Sequence, residues 1–172
     1  MKKLSLPFIL LFFILTGYQP QTNSNPAFNI NISFSKEVNP QNLDGRLLLL
    51  FSNNNKKEPR FQIGGLHSQL IFGVNVESLS PGEKVKIKED VFGFPKENMK
   101  DIPPGEYYVQ ALLHVYETFN LSTGQTVKLP MDNGEGQHWN TSPGNLYSKP
   151  VKITITKNGI ENLDIVMDQI IL

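Results

Sequence analysis

A chain of 172 residues with 16 basic side chains, 16 acidic ones and no cysteine excludes several classes at once. Balanced charge without a basic cluster argues against nucleic-acid binding, and a chain without thiols has neither disulfide staples nor thiol chemistry. Roughly 150 residues beyond the N-terminal segment suffice for one domain with one core.

Lys2 and Lys3 precede an almost wholly apolar run over residues 4–15. About a dozen residues are too few to span a bilayer comfortably, so the segment predicts a signal peptide over 1–19, cut near Gly17 or Gln19. An uncleaved signal anchor is the alternative. No cysteine follows the run, which excludes a lipoprotein anchor. The expected location is therefore periplasmic or secreted, as for an exported bacterial protein, with no membrane contact after cleavage. Residues 20–27, rich in Asn and Pro, read as a flexible lead-in to a single domain over 28–170.

Phe28, Ile30, Ile32 and Phe34 alternate with Asn29, Asn31 and Ser33, the pattern of a half-exposed strand. Residues 39–45 form a loop. The continuous apolar run 47–51 is short and flanked by turn residues, so it predicts a buried central strand. After a polar turn over 53–59, residues 60–63 read as a short strand ended by Gly64-Gly65. Leu70, Phe72, Val74 and Val76 share one face of the next strand. Val85 and Ile87 alternate with Lys84, Lys86 and Lys88, which predicts a solvated lysine face. Phe92-Gly93-Phe94-Pro95 should bulge or bend the chain, since glycine and proline disturb a ladder.

The longest strand follows a turn made by Pro103, Pro104 and Gly105. Tyr107, Val109, Ala111, Leu113, Val115 and Phe119 fall on one face. Tyr108, Gln110, His114, Tyr116 and Thr118 fall on the other, with Leu112 among them. The Pro-Gly-Glu-Tyr order suits a tyrosine corner, which makes Tyr107, with Gly105 and Pro104, structural rather than catalytic. A long loop follows, and then Val151, Ile153 and Ile155 alternate with polar residues. Asn158-Gly159 signals a hairpin into a last strand carrying Leu163, Ile165 and Met167. Eight to ten strands with no helix pattern predict an all-β fold, an antiparallel β-sandwich of immunoglobulin-like kind.

No Gly-x-Ser-x-Gly elbow and no phosphate-binding glycine loop occur, and His67, His114 and His138 lie far apart in sequence. His114 and Glu117 are three apart, which on a strand puts them on opposite faces. No catalytic residue, cofactor or metal is therefore predicted. Residues 132–137 are rich in oxygen donors but lack the EF-hand ligand order, so they read as a tight polar loop. Trp139, Tyr147, Tyr116 and Tyr108, with His138, could form an aromatic platform for a glycan, a surface or a partner protein. The competing reading is that Trp139 and Tyr147 pin the long loop to the sandwich, with Ser142-Pro143-Gly144-Asn145 folding one ring toward the other.

Several segments are specific as an ordered set: Asp44-Gly45-Arg46, Glu58-Pro59-Arg60-Phe61-Gln62-Ile63 and Val91-Phe92-Gly93-Phe94-Pro95. Ile102-Pro103-Pro104-Gly105-Glu106-Tyr107-Tyr108-Val109-Gln110-Ala111 follows, then Gly134-Glu135-Gly136-Gln137 and Ser142-Pro143-Gly144-Asn145-Leu146-Tyr147-Ser148. With them the chain, from about residue 28 to residue 156, resembles the N-terminal β-domain of secreted bacterial esterase-type proteins of the α/β-hydrolase class. In that family the hydrolase machinery follows this domain, and these residues do not contain it. The resemblance therefore implies a non-catalytic exported accessory module, stand-alone or truncated, whose partner is a hydrolase domain. A carbohydrate- or surface-binding module using Trp139 and its neighbouring tyrosines is the alternative, with a glycan as partner.

Overall fold

The computed structural model describes residues 27–131 and 138–172. Residues 1–19, read above as a signal peptide, residues 20–26 of the expected lead-in and the oxygen-rich loop 132–137 lie outside the described residues. Two sheets pack face to face, a β-sandwich. The smaller sheet holds β1 (Ala27–Phe34), β4 (Val85–Ile87) and β10 (Gly159–Met167), in the order β10-β1-β4. The larger holds β2 (Leu43–Ser52), β3 (Leu70–Leu79), β5 (Gly93–Phe94) and β6 (Gly105–Asn120), with β7 (Thr126–Pro130), β8 (Leu146–Tyr147), β9 (Val151–Ile155) and β11 (Gln169–Ile170). One pairing departs from the expected antiparallel pattern: β1 runs parallel to β10.

Period-two alternation builds the core. Phe28, Ile30, Ile32 and Phe34 of β1 meet Leu47, Leu49 and Phe51 of β2 and Val109, Ala111 and Leu113 of β6 in one buried cluster. Outward from β1, Asn31 donates to the Asp164 carboxylate at 2.9 Å, which also takes Lys84 at 3.2 Å. Lys86 on the edge strand β4, and Lys84 and Lys88 at its two ends, are exposed, and charge there discourages pairing with another chain.

Strand β6 organises the large sheet. Residues 108–116 pair with β2 along one edge. Along the other lie three short strands in succession: β9 beside residues 105–109, β8 beside 112–113 and β7 beside 116–120. The Tyr107 hydroxyl donates to the Pro103 carbonyl at 2.9 Å, the upstream bond expected of a corner tyrosine. The ring is half-buried rather than buried, because it stands at the rim of the core, edge-on to Phe51. A β-carbon on Gly105 would sit 3.5 Å from that ring, and Pro104 is exposed in the turn before it. Tyr107→Phe should therefore cost about 1 kcal/mol in a urea melt, since water can reach the abandoned carbonyl. A cost near 3 kcal/mol would mean the bond is sealed from solvent.

Four local expectations change, the first being that residues 43–45, expected in a loop, begin β2. Residues 59–61 form a 3₁₀ turn instead of a strand (Pro59–Phe61), with Phe61 N–H bonded to the Glu58 carbonyl. Pro59 at its first position has no N–H to lose and a preset φ. Asn158-Gly159 does make a tight turn, closed by reciprocal bonds between Thr156 and Gly159. The turn is not a hairpin between paired strands, because β9 joins the large sheet and β10 the small one. Finally, β7 was not anticipated. It returns from β6 through a turn at 121–125, where Leu121 N–H bonds the Gln125 carbonyl and Gly124 N–H bonds the Leu121 carbonyl.

Candidate interaction face

The outer face of the large sheet is a second apolar surface, and its layout follows from strand register. Phe94, Ile71, Leu50 and Gln110 make one row across β5, β3, β2 and β6. Gly73, Leu48, Leu112 and Tyr147 make the next, and Asn75, Arg46 and His114 the third. Leu48, Leu50 and Leu112 are buried there, with Ile63, Ile71, Trp139, Tyr147 and Ile171 packed against them. This explains Leu112 on the otherwise polar side of β6. It is covered by two loops rather than by the other sheet.

Those loops are held by a closed polar clasp around Gln110, which has no exposed surface. Its Oε1 accepts from the Arg60 N–H at 3.1 Å. Its Nε2 donates to Glu58 Oε2 at 2.8 Å and to the Ser148 carbonyl at 2.9 Å. The Arg60 Nε donates to the same Glu58 oxygen at 2.9 Å, and its Nη1 to the Asn140 carbonyl at 3.2 Å. The guanidinium also lies 4.0 Å from the centre of the Tyr147 ring and 4.5 Å from that of Phe61. A nearly buried cation with carboxylate, carbonyl and ring partners is a tolerable one.

The clasp continues along the free edge of β6. Between β9, β8 and β7 the edge has gaps, and side chains fill them. Ser148 Oγ accepts from Ala111 N–H at 3.0 Å, while Ser148 N–H donates to the Ala111 carbonyl at 2.9 Å. Asn145 Oδ1 accepts from Val115 N–H at 2.9 Å, and its Nδ2 donates to the Trp139 carbonyl at 2.8 Å. Buried backbone donors must be satisfied, and here a serine and an asparagine stand in for strand residues.

Of the residues predicted for a platform, Trp139 and Tyr147 do come together, both against Leu48, Leu50 and Leu112. Tyr147 gives a ring face to Arg60. His138 is exposed, and its carbonyl closes the turn by accepting from Thr141 and Ser142 N–H. Tyr116 stands beyond, edge-on to His114 with ring centres 5.6 Å apart. Sequence reasoning missed Glu58, Arg60, Asn145 and Ser148 as a unit with Gln110. The available signal was Gln110 itself, a polar residue inside the apolar run 109–113.

Toward the β5 edge the outer face is uncovered. Phe92 and Phe94 are 68% and 59% exposed, beside a cleft of about 130 Å³ lined by Leu48, Ile71, Gly73 and Arg46. The Arg46 guanidinium is turned to the Asn75 side chain and the Gly73 carbonyl. Among the described residues no group of three or more His, Cys, Asp or Glu side chains is placed to hold a metal ion. No described helix is long and apolar enough to cross a membrane. Comparison of the chain with protein-family models, curated proteins and solved structures finds no match.

Proposed function

We propose that this chain is a non-catalytic, exported β-sandwich module that docks on an esterase-type hydrolase domain through the uncovered part of its outer face. The carrying observation is the Phe92–Phe94 pair beside the Leu48–Ile71–Gly73 cleft. Single exposed apolar residues are ordinary, but contiguous ones beside a cleft mark interaction surfaces. Glu58, Arg60, Gln110, Asn145 and Ser148, from the segments that suggest the hydrolase family, are engaged in holding loops, which supports a structural rather than catalytic role for them. The apolar run at residues 4–15 supports export, and the partner's class comes from the family resemblance.

The test is calorimetric titration of the exported chain with a separately produced esterase domain of that family. Binding is expected, and a Phe92→Ser/Phe94→Ser variant should weaken it at least about tenfold, or about 1.4 kcal/mol. The chain alone should hydrolyse p-nitrophenyl acetate no faster than buffer. Binding that ignores both phenylalanines, or ester turnover by the chain alone, would overturn the reading. A glycan that shifts Trp139 emission would replace it with the carbohydrate-binding alternative, since Trp139 is half-exposed and aromatic faces stack on sugars.

A further inference from the structure

His114 is the one described side chain with a buried polar atom that lacks any hydrogen-bond partner, its Nε2. The imidazole stands at the wall of a small cleft of about 80 Å³, lined also by Met131, Ser142, Pro143, Gly144 and Asn145. The same turn is tied to the next residue of β6 through Asn145 and Val115 N–H. It is also tied to Trp139 through Asn145 Nδ2, and to the C-terminal segment by reciprocal bonds with Ile171.

We infer that His114 is an acid-sensitive latch for the 138–145 loop, the loop that carries the only tryptophan of the chain. A neutral imidazole can leave one nitrogen dry at modest cost. An imidazolium cannot, because both nitrogens then carry protons that need acceptors. The charged groups around it supply none. Arg46 lies directly across on β2 and is itself a cation. Glu117 lines the same cleft, but it is exposed and makes no ion pair with His114. Asp44, two residues along β2, is bonded to Ser78 N–H and Lys128. Tyr116 presents a ring edge-on, and Tyr147 is stacked with Arg60. Protonation therefore requires water, and the wall that can yield to admit it is the 142–145 turn.

Burial holds the folded imidazole below its ordinary 6.5. A depressed folded value means the latch is fully closed above that ordinary value and releases as pH falls through the lower one. Nothing in the proposed docking role requires this response, and its test is independent of any partner. The exported chain is titrated from pH 7.5 to 4.5 while Trp139 emission and far-ultraviolet circular dichroism are followed. The expected result is a reversible red shift with a midpoint below 6.5 at unchanged dichroism, matching the titration of the His114 ring resonance by NMR. His114→Gln and His114→Phe should abolish the shift, and His138→Gln, beside the tryptophan, should keep it. A shift that survives both His114 variants or vanishes in His138→Gln overturns the latch. So does a His114 ring that titrates while Trp139 stays silent.

Discussion

Gln110→Leu should destabilise the protein by about 3–5 kcal/mol in urea denaturation, although leucine matches its size and suits a buried position. The substitution removes one bond from each of three groups at once: the Arg60 N–H, Glu58 Oε2 and the Ser148 carbonyl. Glu58 retains its bond from Arg60 and some access to water, which keeps the estimate from being larger. The Arg60 amide and the Ser148 carbonyl have no such recourse beneath the loops. The loss should appear first locally, as a red shift of Trp139 emission before global unfolding, because Arg60 and Asn140 are held through the same clasp. A loss below 1 kcal/mol, with no change at Trp139, would show that water already serves these groups.

The second large effect concerns one glycine. Gly159 adopts φ of +89°, and a β-carbon there would come 2.1 Å from the Ala27 carbonyl oxygen of the parallel neighbour β1. Backbone cannot swing aside as a side chain can, so Gly159→Ala should push β1 out of register at its start. Gly144 has the same φ of +89° but open space where the β-carbon would go. Gly144→Ala thus reports the left-handed strain alone, about 1–2 kcal/mol. Gly159→Ala should cost at least about 2 kcal/mol more, since Phe28 and Ile30 of the core follow directly on the displaced segment. Equal losses in thermal or urea melts of the two variants would mean that β1 gives way freely at its first residue.

Much of this was legible in the residues, and the reasons differ from element to element. The inner faces of β1 and β6 are read from alternation alone, because side-chain direction along a strand is a local property. Tyr107 is likewise local, its partner Pro103 being four residues upstream. Leu112 broke the alternation and marked, without explaining it, a second buried surface. Arg60 could not be placed from its neighbours: a short run with Phe61 and Ile63 reads as strand. Its actual state depends on Gln110, 50 positions away, and on Asn140, 80 positions away.

By itself, then, the sequence determined that the chain is all-β, which residues of β1 and β6 face the core, and the turns at 79–83 and 158–159. These follow from backbone preferences and a period of two, which need only near neighbours. Only the tertiary structure decided which sheet each strand enters. Thr156 and Gly159 close the turn that Asn158-Gly159 predicts, yet β10 leaves its hairpin neighbour to lie parallel to β1. The same holds for the clasp over the outer face and for the dry nitrogen of His114. Each depends on groups brought together across 30 to 80 residues, and their pairing is set by what remains unsatisfied once the core has closed.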